Sequence, residues 1–302
     1  MRAQGEEPLR PAAVAGSWYP NEAAPLRAAV TAHLATAADG PPGDIVGIIA
    51  PHAGLVYSGP VAAHAYKAVA GRAYDVAVLV GPSHHVGFDG VAIYPSGAFD
   101  TPLGPAPVAA EVASRLMAAP CIGLHPTAHG REHSLEMQLP FLRLVLPETP
   151  IVPLLIGHQE RDTILALAET LGETLAGLTP LLVASTDLSH YFDAARAAVL
   201  DGVVIDHVTR FDSEGLLKAF ERHPPHERGR WVACGGGAAI AVMKAAASLG
   251  ASEARVLRYA DSGDVSGDKT SVVGYLAAAL GSFGPEESAA PSASHGADGG
   301  ER

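Results

Sequence analysis

The chain has 302 residues, of which 48% are hydrophobic and 17% charged, and a formal net charge of −12. No apolar run approaches the roughly twenty residues needed to cross a bilayer, and the opening MRAQGEEPLRP has no apolar stretch behind Arg2, so a soluble, cytoplasmic protein without a membrane partner is expected. An acidic chain with only four lysines lacks the clustered cations that phosphate neutralisation needs, which disfavours nucleic acid and points to a small molecule, a peptide or a protein as partner.

In chain order, the first elements are DIVGIIA (Asp44–Ala50), a short continuously apolar run, and then PVAAHAYKAVAG, which spaces its apolar residues at helical intervals. DVAVLVG (Asp75–Gly81), IVPLLIG (Ile151–Gly157) and PLLVASTD (Pro180–Asp187) repeat the apolar pattern, as strands covered on both faces should. RDTILALAETLGETLAG and AARAAVLDGVVIDHVTRF are helical in period. GVAIYP (Gly90–Pro95), ARVLRYA (Ala254–Ala260) and SVVGYLA (Ser271–Ala277) are further strand candidates. Strand-then-helix alternation predicts an α/β fold with a largely parallel central sheet flanked by helices, and DGPPG (Asp39–Gly43) reads as a loop within it. Residues 1–281 are expected to form a single domain. Beyond Gly281 there are no aliphatic side chains larger than alanine to offset ordering entropy, so 282–302 read as a disordered tail.

Three of these strands end alike. DIVGIIA exits into Pro51-His52, DVAVLVG into Pro82-Ser83-His84-His85, and PLLVA into Ser185-Thr186-Asp187-Leu188-Ser189-His190. The carboxyl ends of parallel strands share one edge, where ligands bind, so these side chains can converge there. A lone loop histidine more often caps a turn, but the same topological position recurs in all three. Cys121 and Cys234 lie far apart without a CxxC, which argues against a disulfide framework and a zinc finger. Cys234 precedes Gly235-Gly236-Gly237 and an alanine-rich helical stretch; a thiol there is either favoured as thiolate by the helix dipole or packed as a small hydrophobe.

HGREHSLEMQLPFL (His129–Leu142) places His129 and His133, and Glu132 and Glu136, four residues apart, which in a helix would share a face, with Pro140 kinking or shortening it. HxxxH alone is weak as a primary metal motif, so His133 and Glu136 are expected to face the substrate or to support the ligands from behind. Asp261, Asp264 and Asp268 do not match a calcium loop and read as a solvated turn.

Taken together, AGSWYP, IIAPHAGLVYSG with HAYK, GPSHH, TPLG, EHSLEMQLPF, STDLSH, ACGGG and YADSGDVSGDKTSVVGY resemble, in order, the motifs of the Memo-like family, whose bacterial members are called AmmeMemoRadiSam system protein B. The resemblance spans about residues 10 to 280 and implies a fold similar to the class III extradiol dioxygenases, which carry a non-haem iron at the strand ends. On that likeness His52, His84 and Cys234 fall on the metal-site positions and Asp187 and His190 match the adjoining polar pair, acting as acid and base or orienting the ligands by hydrogen bonds; His133, from the reading of its own segment, joins them as a candidate catalytic residue. The extradiol site uses two histidines and a carboxylate; a thiolate in third place is softer and suits Fe(II) or Cu(I), with Zn a further fit. The animal members are described as metal-binding, redox-linked and phosphopeptide-binding, and the bacterial label implies a functional link to a radical SAM enzyme and an AMME-domain protein. Two functions follow: a metal-dependent oxidoreductase, or a non-catalytic module that keeps the ancestral pocket for a small-molecule or peptide ligand.

Overall fold

A computed structural model describes residues 8–284 and gathers the apolar runs into a nine-stranded sheet. Its strands are β1 (Gly43–Ala50), β2 (Val76–Pro82), β3 (Val91–Ile93), β4 (Ile122–Gly123), β5 (Ile151–Ile156), β6 (Pro180–Ser185), β7 (His190–Phe192), β8 (Glu253–Asp261) and β9 (Val272–Phe283). They lie in the order β7-β9-β1-β6-β2-β5-β3-β4, with β8 paired to β9. The expected parallel character holds through the central run β1-β6-β2-β5. On either side of it the direction reverses, β9 running antiparallel to β1 and β3 antiparallel to β5.

Side-chain alternation along the buried strands explains why their sequences are apolar throughout. In β2, Val76, Val78 and Val80 enter one core, and Ala77 and Leu79 the other. The helices α1 (Ala23–Thr36), α2 (Leu55–Val69) and α3 (Leu139–Val145) close the second core with Leu26, Tyr66 and Phe141. The helices α4 (Arg161–Thr174), α5 (Ala194–Thr209) and α6 (Gly236–Ser248) close the first with Ile164, Val204 and Ile240. A strand residue such as Leu79, with no exposure, contributes on the order of 1.5–3 kcal/mol by leaving water.

Element boundaries differ from the sequence reading in three places. α2 starts at Leu55, with Gly54 at its N-cap, and carries Pro60 inside it. The helix expected from His129 does not form: the stretch runs through turns and one 3₁₀ turn, Glu136–Gln138, and α3 begins at Leu139. Pro140 therefore sits in a first turn, where its missing N–H costs nothing, so it starts a helix and kinks none. The expected tail boundary at Ser282 falls inside β9, whose last residue, Phe283, lies under the Arg255 guanidinium at 5.8 Å. The rest of that stretch, 285–302, lies outside the described residues. Among the described residues no helix is long and apolar enough to cross a membrane.

Candidate metal centre

The adjacent parallel strands β1, β6 and β2 end side by side, and two residues past each end stand His52, Asp187 and His84. The imidazoles of His52 and His84 meet edge to face with centroids 5.2 Å apart. His133, from the turn-rich segment before α3, stacks on His84 at 4.5 Å and stands 5.6 Å from His52. One ring nitrogen from each of these three residues lies within 4.8 Å of the others, close enough together that the group could hold a metal ion.

Hydrogen bonds assign the free nitrogen of His52. The Ser185 hydroxyl has one hydrogen, which it donates to the Ser134 carbonyl at 2.6 Å. Toward His52 Nδ1, at 2.9 Å, it can therefore only accept, so Nδ1 carries the proton and Nε2 keeps its lone pair. Gln138 holds the hydroxyl from the other side, donating to Ser185 Oγ at 2.8 Å and to the Pro51 carbonyl at 3.1 Å while accepting from Tyr66 at 2.7 Å. Burial, reinforced by His84 and His133, holds the His52 pKa well below its ordinary value and so keeps the ring neutral.

Glu132 performs the same service for His84. Its carboxylate accepts from His84 Nδ1 at 2.8 Å and from the backbone amides of His84, His133 and Ser134 at 2.5, 3.0 and 2.9 Å. Burial raises the carboxyl pKa, but the His84 ring and its neighbours outweigh it and hold Glu132 well below the usual carboxylate range. Burial likewise works to lower the His84 pKa, and the Cys234 sulfur and Glu132 overcome it, raising it to about 10. His133 is lowered to about 4, first by burial and then by His84.

Cys234 Sγ lies 3.2 Å from His52 Nε2 and receives the Asp187 amide N–H at 3.3 Å. The three glycines that follow serve close packing, against backbone at Gly235 and against side chains at Gly236 and Gly237. A Cβ on Gly235 would meet the Ser185 carbonyl oxygen at 2.3 Å, one on Gly236 the Phe220 ring at 2.4 Å, and one on Gly237 the Gln159 amide oxygen at 2.8 Å. Asp187 Oδ1 accepts the His52 backbone N–H at 2.7 Å, and burial raises its pKa above the ordinary value. His190 opens β7 and lines the same cavity. That cavity, about 390 Å³, also takes in Trp18, Tyr191, Arg230 and Val273.

Other expectations separate at this point. Glu136 does not face the site: it is fully buried, paired with Arg10, and accepts from Tyr19 Oη at 2.6 Å and the amides of Ala13 and Val14 at 2.7 and 3.0 Å. It pins the N-terminal segment that carries Trp18, and Glu132 is the carboxylate that supports the imidazoles. His129 turns away, edge-on to Tyr94 and Phe99 at 5.7 and 6.1 Å. His85 stays exposed at the rim, 5.9 Å from His133, and Cys121 lies 4.0 Å from the Thr170 hydroxyl. The aspartate turn is ion-paired, with Lys269 reaching Asp261 at 2.8 Å and Asp264 at 2.6 Å. Sequence reading missed Glu132, Gln138, Ser185 and Trp18 as parts of the site, although all four lie inside or beside the motifs EHSLEMQLPF, STDLSH and AGSWYP.

The family profile described as Memo-like protein matches residues 10–279. The chain belongs to the Memo-like family. It is 36% identical over 283 residues to a MEMO1 family protein of Methanopyrus kandleri, covering 89% of this chain and 97% of that one. A MEMO1 family protein of Methanothermobacter thermautotrophicus is 36% identical over 280 residues, covering 88% and 98%. One from Thermotoga neapolitana is 35% identical over 286 residues, covering 90% and 99%. Among solved structures, an uncharacterized protein of Escherichia coli K12 has a similar fold, with a TM-score of 0.53 at 17% identity over 77% of this chain and 99% of that one. The mixed α/β sheet and its strand-end histidines are thus set within a named family.

Proposed function

We propose that this Memo-like protein holds one transition-metal ion, Fe(II) or Cu(I) with Zn a further fit, through His52, His84 and Cys234, and acts as an oxidoreductase on a small molecule. The observation that carries the reading is the joint approach of Cys234 Sγ to His52 Nε2, at 3.2 Å, and of three imidazole nitrogens to within 4.8 Å. Metal bonds of about 2.0–2.3 Å bring two donors of one ion to roughly 3–4 Å from each other, a range that the 3.2 Å between Cys234 Sγ and His52 Nε2 falls in. His133 stands as a fourth donor, a third imidazole, beside the set.

The donor chemistry supports the fit. His52 and His84 each direct Nδ1 to an oxygen behind them, which leaves Nε2 as the nitrogen on the Cys234 side, the pattern that orients metal-ligating histidines. Two imidazoles and a thiolate suit Fe, Cu(I) or Zn, and such an ion supplies Lewis acidity and, for Fe or Cu, one-electron chemistry. Asp187 and His190, on the same cavity wall, form an acid–base pair that can pass a proton to or from a bound molecule. The departure from a carboxylate at the third position argues for slow or absent catechol cleavage. A link to a radical SAM enzyme and an AMME-domain protein belongs to this same proposal and rests on the family likeness alone.

The test loads oxygen-free protein with Fe(II) and follows oxygen uptake and product across a panel of small oxidisable substrates, comparing native protein with Cys234→Ser and Cys234→Glu. Substrate-dependent oxygen uptake lost in Cys234→Ser supports the reading. Absence of measurable metal affinity in the native protein overturns it in favour of a metal-free binding module.

A further inference from the structure

The cavity beside the imidazoles contains a cation that no described residue neutralises. Arg230 belongs to the helical turn Arg228–Trp231, four residues before Cys234, and its side chain lines the cavity while remaining exposed. Among the described residues it makes no ion pair and no side-chain hydrogen bond. The nearby Arg228, by contrast, donates to backbone carbonyls of His223 and Gln159 at 3.2 and 2.9 Å, and Arg161 is paired with Glu214 and Glu221 at 3.0 and 2.7 Å.

Arg230 is nonetheless held. Its guanidinium lies over the Phe192 ring at 5.0 Å, and Phe192 leans on Trp231 at 4.8 Å. Cation–π attraction to a ring does not use up the N–H groups of a guanidinium, which stay available for a planar, bidentate acceptor such as a carboxylate. Phe192 follows Tyr191, whose φ of 66° is left-handed and whose pairing with β9 slips between His190 and Phe192. Such a conformation is unfavourable for a bulky residue. Packing does not account for it, because Tyr191 is 67% exposed. Its effect is to leave an aromatic ring at the cavity mouth. On the same cavity Trp18, 36% exposed, rests against His133 with centroids 4.3 Å apart.

We propose that this cavity binds a flat small molecule bearing one carboxylate, with the carboxylate on Arg230, the body against Trp18 and Tyr191, and the far end toward the imidazoles. A cavity of about 390 Å³ accommodates a compound of one or two rings. A single carboxylate is specified because, among the described residues, Arg230 is the one guanidinium that lines the cavity. Arg230 is thus a specificity-determining residue, and its role rests on the metal reading only for what meets the far end of the ligand.

The experiment measures binding of 4-hydroxybenzoate and of its methyl ester to the full chain by calorimetry, in zinc-loaded and metal-free forms. The acid is expected to bind at least about tenfold more tightly than the ester, a preference that falls to near unity in Arg230→Gln and is partly kept in Arg230→Lys. Equal affinity for acid and ester in the native chain, an unchanged ratio in Arg230→Gln, or no binding of the acid at millimolar concentration would each overturn the proposal. The two readings separate cleanly. A carboxylate preference present with and without zinc sustains Arg230 even if the metal assignment fails, whereas zinc-dependent affinity for both probes without a preference sinks Arg230 alone.

Discussion

His52 Nδ1 and the Ser185 hydroxyl meet at 2.9 Å, and because Ser185 gives its one hydrogen to the Ser134 carbonyl, the contact fixes which nitrogen of His52 faces the cavity. Ser185→Ala removes the acceptor and frees the ring to rotate. Zinc affinity, read by competition with a chromogenic chelator, is expected to fall about 10–100-fold while the secondary structure is retained. An unchanged affinity would show that the ring is held by packing alone.

Glu132→Gln tests the matching support of His84. The amide keeps the size of the side chain and an acceptor for one or two of the four N–H groups, but loses the charge that favours a ring N–H on Nδ1. Metal affinity should fall by a similar 10–100-fold, and nitrogen chemical shifts of the His84 ring should show a lower pKa than in the native protein. A shift confined to His133 would assign the carboxylate to the other imidazole.

The fold was legible wherever burial is two-sided. Continuous apolar runs such as Val76–Val80 can only be strands covered on both faces, and their exits at His52, His84 and Asp187 followed from shared direction. His133 was visible as a residue but not as a neighbour of His84, because its position depends on a non-helical path set by the carboxylate of Glu132 and the start of α3 at Leu139. Glu136 misled for a related reason: its partner, Arg10, lies far away in sequence, and pairing of that kind leaves no periodic trace. Arg230 was illegible because an unpaired arginine looks like any solvated one until Phe192 is found beneath it.

Glu136 anchors the N-terminal segment through Arg10, Tyr19 and two backbone amides. Glu136→Ala leaves Arg10, 3% exposed, without its carboxylate. Breaking a buried pair from one side costs about 3–5 kcal/mol, so urea unfolding should move to clearly lower midpoint, and Trp18 fluorescence should shift as its segment loosens. A loss below about 1 kcal/mol would contradict the anchoring role.

His129 contributes to the pH dependence, in the same direction as His133 and His52. Burial, with Arg10 adding to it, lowers its pKa from 6.5 to about 4 in the folded chain. Between those values the unfolded chain binds more protons, so stability falls as pH drops through the window and is fully present above about 6.5. At about 1.4 kcal/mol per unit the contribution is on the order of 3 kcal/mol. His129→Phe, which cannot titrate, should unfold at pH 4.5 with a smaller loss relative to pH 7.5 than the native chain does. Parallel curves for the two proteins would remove His129 as a source.

Gly235 is packed for backbone approach, since a Cβ there would stand 2.3 Å from the Ser185 carbonyl oxygen. Gly235→Ala must push α6 away from β6 and carry Cys234 with it. A destabilisation of about 1–3 kcal/mol together with weakened metal binding is expected, by thermal unfolding and chelator competition. Retained affinity in a destabilised variant would separate Cys234 from the metal.

Metal content tests the central claim most directly. The chain is purified without oxygen, reconstituted with Fe(II) or Zn, desalted and analysed by mass spectrometry of the elements, alongside the double variant His52→Ala/His84→Ala. About one ion per chain in the native protein and less than about a tenth of that in the variant is the expected result. A native protein that retains no metal, or a variant that retains as much, would contradict the account.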